Sequence, residues 1–430
     1  MPCFANKIND TYSTMKILTL NYSDTNGGAS RAAYRLHHAL RYQDVDSLMQ
    51  VYQASAGDWT VQGPRSNFAK TLLSVRGSLA GLLARTLKTG NPIIHSPAII
   101  PSRWSKQLNA SDADVIHLHW INGEMVSVVD LSKIAKPVVW TLHDMWAFCG
   151  AEHYTEDFRW RDGYTLGNRP SYESGFDLNR WTWERKIKHW KGTPRHIVTP
   201  SRWLADCAKQ SVLMRDWPIT VIPNAIDMEV WQPVDRSFAR QLLGLPADRP
   251  LLLFGSMVGV QDPRKGFDLL QAALNHLRGQ LPGLELIVFG QPAPKAPVDL
   301  PFPVHYTGHL HDEISLRLLY SAADVMVIPS RQDNLPNTGV EAQACGLPVV
   351  AFDTGGLPDI VEHQRTGYLA KSFNTVDLAQ GLSWVLSDTQ RHAALGQSAR
   401  QRALRLWSLD TVALQYQELY RKAIDAQSKN

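Results

Sequence analysis

Asp333 and Glu341 carry carboxylates eight residues apart, between two apolar, strand-like runs. Their residue types make this stretch the best candidate for a functional site. Pro336 and Asn337 can begin a short helix here, with Asn337 as its N-cap. Free N–H groups at a helix start favour an anion such as phosphate, and carboxylates accept the hydroxyls of a sugar or a ribose. The stretch therefore indicates a nucleotide-sugar site. An ordinary strand–loop–helix connection with acids near the helix start has the same pattern.

Two adjacent cations, Arg264 and Lys265, offer complementary chemistry. They follow a strand-like run and precede a predicted helix over residues 267–278. Cations beside a helix start form a phosphate site, and Lys265 could neutralise the charge that develops on a leaving diphosphate. His309 lies in a loop after another predicted strand, where it could face a nucleotide base.

The first half of the chain contains two further candidate elements. A predicted strand at 16–22, the pair Gly27-Gly28 and a predicted helix at 29–41 form a unit in which the backbone can approach a ligand closely. A plain tight turn is the alternative, because the G-x-G-x-x-G fingerprint is missing. Two later strands end in His119 and in His143, where open α/β sheets bind ligands.

A metal site is not predicted. His117 and His119 lie on one side of a strand and could bind an ion, but a third ligand is not evident.

Two segments have unusual composition. Residues 59–111 contain no acid and seven cations, and 68–87 has helical periodicity. A basic amphipathic surface over residues 65–88 could contact an anionic membrane, whereas a domain helix with a solvated basic face is the alternative. Residues 146–191 are rich in aromatic side chains. They could line a saccharide acceptor site, or they could form a loop that packs on the core.

The elements that position these residues alternate between strand and helix, which predicts an α/β fold with parallel sheets covered on both faces. The length of 430 residues favours two domains. We predict a first domain at 15–215, completed by a crossover helix at about 409–426, and a second at 220–408. Residues 1–14 are polar and patternless, and are predicted to be a disordered leader.

Composition narrows the class of protein. A hydrophobic fraction of 44% and a charged fraction of 20% are typical of a globular protein, and a net charge of +4 is a weak signal for nucleic acid, so no nucleic-acid partner is predicted. Four scattered cysteines indicate a reducing compartment. No run reaches 18 apolar residues, and no signal peptide is evident. We expect a cytoplasmic protein. A peripheral protein on the inner face of the cytoplasmic membrane is the alternative location.

Six short segments, taken in order, resemble the retaining GT-B glycosyltransferases (family 4, group 1) whose hallmark is E-x(7)-E. These segments are 27–28, 199–204, 222–227, 264–266, 333–341 and 355–358. Segments 140–146 and 333–336 look most like bacterial exopolysaccharide and O-antigen (lipopolysaccharide) enzymes.

The resemblance implies two Rossmann-like domains that face a cleft, with a nucleotide-sugar held mainly by the second. It implies that Lys265 contacts the diphosphate, Glu341 the ribose and Asp333 the transferred sugar. His143 would lie near the sugar and completes the implied catalytic set. Family members need no divalent metal or other cofactor, and the leaving phosphate is described as accepting the proton of the acceptor.

The implied donor-binding groups include backbone as well as side chains. The backbone at Asn337 and Thr338 would meet the diphosphate, and Gly28 would approach it from the first domain. Arg264 can substitute for an arginine that the family often has five residues before the lysine, where this chain has Val260.

Two positions in the acidic stretch depart from the family pattern. Asp333 replaces the first glutamate and is one methylene shorter, and Pro336 lacks an N–H. Both bear on which sugar is selected.

The expected function is transfer of a sugar from a nucleotide-sugar to a saccharide or lipid-linked acceptor in surface polysaccharide biosynthesis. A non-catalytic sugar-nucleotide binding protein is one alternative. Another GT-B enzyme, such as an epimerase or a phosphorylase, is a second.

Overall fold

The structure is a computed structural model that describes residues 14–64, 67–255, 262–294, 298–310 and 312–428, with no side-chain description for 67–74. The predicted leader up to residue 13, Val260 and part of the predicted basic surface lie outside the described residues.

Seven parallel strands form the first sheet, in the order β3-β2-β1-β5-β6-β8-β9, and β4 pairs with β7 in a separate antiparallel ribbon. The strands of this half are β1 (Lys16–Ser23), β2 (Asp46–Gln53), β3 (Val61–Gln62), β4 (Leu87–Lys88), β5 (Val115–Leu118), β6 (Val138–Thr141), β7 (Ser174–Gly175), β8 (His196–Thr199) and β9 (Ile219–Val221).

Six parallel strands form the second sheet, in the order β12-β11-β10-β13-β14-β15. These strands are β10 (Leu251–Gly255), β11 (Glu285–Phe289), β12 (Val304–Gly308), β13 (Val325–Ile328), β14 (Val349–Phe352) and β15 (Gly367–Ala370). Most are fully buried and rich in Val, Ile and Leu, as expected for parallel strands covered on both faces. The prediction of two parallel sheets is confirmed.

Helices cover both faces of the two sheets. Their bounds are α1 (Gly28–Tyr42), α2 (Asn67–Ala84), α3 (Trp104–Ala110), α4 (Val128–Ser132), α5 (Arg159–Asp162), α6 (Leu178–Trp190), α7 (Arg202–Gln210), α8 (Arg236–Leu243), α9 (Phe267–His276), α10 (Glu313–Ala322), α11 (Asn337–Ala344), α12 (Leu357–Ile360), α13 (Thr375–Leu386), α14 (Thr389–Trp407) and α15 (Leu409–Ser428).

The last helix, α15, returns to the first sheet. The Tyr416 hydroxyl lies 2.9 Å from the hydroxyl of Thr141 on β6, and the Tyr420 hydroxyl lies 2.8 Å from His117 Nδ1 on β5. Both tyrosines pack in one buried cluster with Ile17 and Leu36.

The boundary between the halves lies later than expected from the sequence. We expected the second domain to begin at residue 220, whereas β9 pairs in parallel with β8 and extends the first sheet to Val221. Ile222 and Ala225 then pack with the α15 cluster.

Part of the aromatic segment belongs to the core, whereas Phe158, Tyr172 and Phe176 are exposed. Trp146 and Trp190 are buried and pack edge to face at 5.9 Å between ring centroids, and Trp160 and Tyr164 are buried beside them. The packing alternative therefore holds for these residues.

The basic segment also differs from its expected form. Arg76 is buried on α2 and donates to the backbone carbonyls of Ile100, Pro101 and Glu124, so it does not belong to a solvated basic face. Within the described ranges, no helix is both long and apolar enough to cross a bilayer.

Candidate active site

The loop between β13 and α11, residues 329–336, lies where the two sheets face each other. Just after β8, the Ser201 hydroxyl donates to Asn334 Oδ1 at 2.6 Å. The side-chain amide of Asn334 donates in turn to the carbonyl oxygens of Leu142 and His143, at 3.4 and 3.3 Å. Strands of both sheets thus end at one cleft, the usual ligand position in open α/β folds.

Asp333 and the two predicted cations come together in this cleft. Lys265 Nζ lies 2.6 Å from Asp333 Oδ2, and Arg264 Nη1 lies 3.6 Å from Asp333 Oδ1. The Ser330 hydroxyl also donates to Oδ2, at 3.2 Å. Burial raises the pKa of Asp333, but the Lys265 and Arg264 charges outweigh it and hold this pKa below its ordinary value. Asp333 is therefore ionised at neutral pH.

Two glycines let neighbouring segments pack tightly on the acidic loop. Gly266 has a φ of 68°, and a Cβ there would lie 1.9 Å from the carbonyl oxygen of Pro329. A Cβ on Gly356 would lie 1.5 Å from the carbonyl oxygen of Asn334. A larger residue fits neither position without backbone movement. The first contact places the 3₁₀ turn Pro263–Lys265, with its two cations, beside Asp333.

Glu341 lies deeper, inside α11, and is only 2% exposed. Its Oε2 accepts a hydrogen bond from the Tyr320 hydroxyl at 3.0 Å. Its Oε1 accepts one from Arg35 Nη2 at 2.8 Å, and Arg35 belongs to α1 of the first domain. The second acid of the pair is therefore held by a cation from the opposite side of the cleft.

Gly28 and Asn337 also meet across the cleft. The Asn337 side-chain amide donates to the Gly28 carbonyl at 3.0 Å, and Asn337 Oδ1 accepts from Asn224 at 3.0 Å. The prediction of Asn337 as N-cap is wrong. Pro336 occupies that position, and Asn337 begins the helix because its side chain bonds to Gly28 and Asn224 instead. Thr338 follows it in the first turn.

Three histidines lie next to one another in the first domain, and His117 is the most deeply buried of them. His119 Nδ1 and His143 Nε2 lie 2.9 Å apart, and the His117 ring lies 4.2 Å from the His119 ring. Burial lowers the pKa of His143 to about 4 and that of His117 to about 3, and it lowers the pKa of His119 well below its ordinary value. All three are neutral at pH 7. The two His117 nitrogens bond Thr141 and Tyr420, so His117 and His119 do not share a free metal-ligand face.

Tyr154 connects the histidines to the cations. Its hydroxyl donates to the His143 carbonyl at 3.2 Å, and the Arg264 guanidinium carbon lies 4.7 Å from its ring centroid. Burial raises the pKa of Tyr154, so it remains a neutral donor. A cation over an aromatic face is a favourable contact, and here it joins the two domains.

His309 is the one predicted site residue that lies away from the Asp333 loop. It is exposed and follows β12, an edge strand three positions from β13 in the second sheet. The other predicted residues border the cleft.

Sequence reasoning missed Arg35 and Tyr320, and it included Tyr154 only as part of the aromatic stretch 146–191. One signal could have identified Arg35: it lies three residues after Ala32 and four before Ala39, on the apolar stripe of its helix. A charged residue on a buried stripe requires a partner.

Two family matches cover most of the chain. Residues 26–230 match the family described as Glycosyltransferase Family 4, and residues 249–388 match the family described as Glycosyl transferases group 1. The second range contains every strand of the second sheet.

Solved structures share the whole architecture. HepE of Anabaena, in complex with UDP and glucose, has a TM-score of 0.64 at 20% identity and covers 95% of this chain and 100% of that chain. WaaG, a glycosyltransferase involved in lipopolysaccharide biosynthesis, has a TM-score of 0.56 at 17% identity, with 96% and 100% covered. The chain therefore has the GT-B fold of group 1/family 4 glycosyltransferases.

Among curated relatives, a D-inositol 3-phosphate glycosyltransferase of Saccharomonospora viridis is 34% identical over 223 residues, which are 48% of this chain and 50% of that protein. The chain thus spans about half the length of the first curated relatives that it matches.

Proposed function

We propose that this protein is a retaining glycosyltransferase, a hexosyltransferase that moves a sugar from a nucleotide-sugar to a saccharide or lipid-linked saccharide acceptor. We propose further that it acts in surface polysaccharide biosynthesis. One observation carries the proposal: Lys265 and Asp333 form a cation–carboxylate pair at the end of β13, opposite His143 across the cleft. This arrangement offers groups of opposite charge to the diphosphate and to the sugar hydroxyls of one donor.

The charged groups supply the main catalytic effect. As the bond between sugar and diphosphate breaks, negative charge grows on the leaving phosphate oxygens. Lys265 and the open N-terminus of α11 at Asn337 and Thr338 stabilise that charge, which lowers the barrier because they are already in place. The leaving phosphate then accepts the proton of the attacking acceptor hydroxyl, on the same face of the sugar, so that configuration is retained.

The direct test is turnover. Purified protein is incubated with UDP-, GDP- or dTDP-sugars, with and without a lipid-linked saccharide, and nucleotide release is measured. We expect release with one donor and only in the presence of an acceptor, and an NMR spectrum of the product with the donor's anomeric configuration. An inverted product would contradict the retaining assignment. Release in the absence of any acceptor would indicate a hydrolase.

Two classes of acceptor should be tested separately in this assay. The name of the Saccharomonospora relative supports D-inositol 3-phosphate, and that of WaaG supports a lipopolysaccharide precursor. We propose the lipid-linked acceptor, because α2 carries an exposed apolar surface described below. Transfer to D-inositol 3-phosphate alone would replace this part of the proposal.

The alternatives predict different results. A sugar-nucleotide binding protein would bind a donor without release in every pairing. An epimerase would change the sugar of the donor without an acceptor, and a phosphorylase would require free phosphate.

We also propose that α2 contacts an anionic membrane. Val75, Leu79 and Leu82 are 48%, 53% and 59% exposed on this helix, and Arg85 and Lys88 follow on the exposed surface. Exposed apolar side chains flanked by cations favour a lipid surface with negative charge.

Liposome flotation tests the membrane proposal. Vesicles with and without phosphatidylglycerol are compared, and we expect flotation that requires the anionic lipid and is lost in Leu79→Asp. Leu414→Asp, at an exposed leucine of α15, is the matched control and should float as the wild type does. Flotation independent of anionic lipid would overturn the proposal.

A further inference from the structure

Glu341 has no free surface for a ribose in this structure. Its two oxygens are bonded to Arg35 at 2.8 Å and to Tyr320 at 3.0 Å, and the residue is 2% exposed. A carboxylate can accept about four hydrogen bonds, so these two do not saturate it. Because Glu341 is only 2% exposed, however, a ribose diol can reach it only if one of these partners moves away. Tyr320 belongs to the same domain and is fully buried, so the partner that can leave is Arg35.

Arg35 is held at the cleft by three groups of the other half of the chain. Besides Glu341, its guanidinium donates to Glu313 Oε1 at 2.9 Å, and it lies 5.1 Å from the ring centroid of Trp231. Burial lowers the pKa of Arg35, but Glu341 and Glu313 outweigh burial and raise it. Since Arg35 is on α1 and both acids are in the second domain, this ion pair forms only when the domains lie close together.

We infer that Arg35 positions Glu341 in the closed cleft and that the ribose of the donor competes with it for the same carboxylate. This inference rests on the proposed function. Arg35 would stabilise the closed arrangement and would oppose donor entry, so domain closure and occupancy of Glu341 would be coupled.

The coupling has a distinctive signature. Removing the Arg35 guanidinium frees the carboxylate and favours an open cleft, so a nucleotide binds more tightly. The same change also removes the bond from Arg35 to Glu313, which still joins the two domains when a ribose occupies Glu341. The closed arrangement in which transfer occurs is therefore weakened, and turnover falls. An arginine with a merely structural role would lower both affinity and turnover, because damage to the fold harms each.

The experiment measures both quantities in Arg35→Met, which keeps much of the apolar stem. Titration calorimetry with UDP, GDP and dTDP gives the Kd, and steady-state transfer gives kcat. We expect Kd for the preferred nucleotide to fall by about 5-fold to 10-fold, within the usual range of coupling between sites, and kcat to fall at least about 5-fold. Arg35→Lys retains a cation and should lie between the variant and the wild type.

Two control variants separate this effect from general ones. Arg240→Met breaks a buried arginine–aspartate pair inside the second domain, where Arg240 Nη2 lies 2.7 Å from Asp324 Oδ2. It should lower the melting temperature without tightening nucleotide binding. Arg202→Met breaks another contact between the domains, with Asp359. If it tightens binding as much as Arg35→Met does, general opening explains the effect and the competition for Glu341 is overturned.

A second route covers the case in which Arg35→Met does not fold. Glu313→Gln removes the other anchor of Arg35 without touching Glu341, and it should tighten nucleotide binding by about 2-fold. Unchanged or weaker binding in Glu313→Gln would then overturn the inference.

The outcomes also separate this inference from the proposed function. If the wild type binds a nucleotide and Arg35→Met binds it equally or more weakly, the inference fails and the proposed function stands. If neither protein binds any of the three nucleotides, the nucleotide-sugar site fails and the inference fails with it.

Discussion

The two sides of the cleft use different chemistry. On the first-domain side, His119 and His143 are neutral and share a hydrogen bond of 2.9 Å, because burial lowers the pKa of each. On the second-domain side, Asp333 is ionised and paired with Lys265, at 2.6 Å. One side offers hydrogen bonds without net charge, and the other offers paired charges.

This difference suggests a division of work. A nucleotide-sugar carries its charge on the diphosphate and only hydroxyls on the sugar. Charged groups on the second-domain side can hold the diphosphate, whereas neutral histidines on the first-domain side can bond a hydroxyl without attracting the diphosphate to the wrong place. If this division is correct, substitutions on the two sides should differ in size and in pH dependence.

The largest effect should come from Lys265→Ala. Loss of one preorganised charge contact in a catalytic site costs about 10²-fold in turnover, and here it would also leave the buried Asp333 carboxylate with a weaker partner. We expect kcat for transfer to fall at least about 10²-fold. Lys422→Ala is the control, because Lys422 pairs with Glu418 at 2.7 Å on the surface of α15 and should leave the rate unchanged. Near wild-type activity in Lys265→Ala would remove this lysine from the site.

Glu341→Ala should cost a similar or slightly smaller factor, about 10²-fold in transfer, because it removes the carboxylate proposed for the ribose. It also leaves Arg35 with Glu313 and the Trp231 ring as its partners. The control is Glu362→Ala, since Glu362 pairs with Arg365 on the surface of the same domain. Equal rates for Glu341→Ala and wild type would show that the ribose is bound elsewhere.

The charged side of the cleft was more predictable from sequence than the rest. Lys265, Asp333 and the end of β13 are local features, in which cations or acids follow an apolar run and precede a helix. Arg35 is 306 residues from Glu341, so their contact depends on how two domains face each other, which no local pattern records. The fold was predictable because strand and helix patterns alternate along the chain.

The errors have specific physical causes. Asn337 is a good N-cap by residue type, but its side chain bonds to Gly28 in the other domain. Arg76 belongs to a basic segment, yet carbonyl groups of a neighbouring loop bind it in the interior. In both cases a tertiary hydrogen bond outweighs the local preference.

The buried, neutral His143 on the first-domain side of the cleft should affect how stability depends on pH. The pKa of an unfolded histidine is near 6.5, and that of folded His143 is about 4, so the unfolded state binds more protons between these values. The free energy of unfolding should therefore decrease as the pH falls from 6.5 towards 4. Above pH 6.5, His143 should make no further difference to it. In His143→Gln, the free energies of unfolding by urea at pH 5 and pH 7 should differ by about 2 kcal/mol less than in the wild type. An unchanged pH dependence in His143→Gln would contradict burial of a neutral imidazole.

The smallest expected effect is that of a chelator. A divalent cation binds through carboxylate oxygens, and both acids of the 333–341 stretch already have cationic partners, Lys265 for Asp333 and Arg35 for Glu341. The positive charge of Lys265 and the helix start at Asn337 can stabilise the diphosphate instead. We therefore expect the transfer rate in excess EDTA to equal the untreated rate within error. A loss that Mg²⁺ restores would mean that a metal displaces one of these cations when the donor binds, and the charged side would then hold the diphosphate through an ion rather than through Lys265.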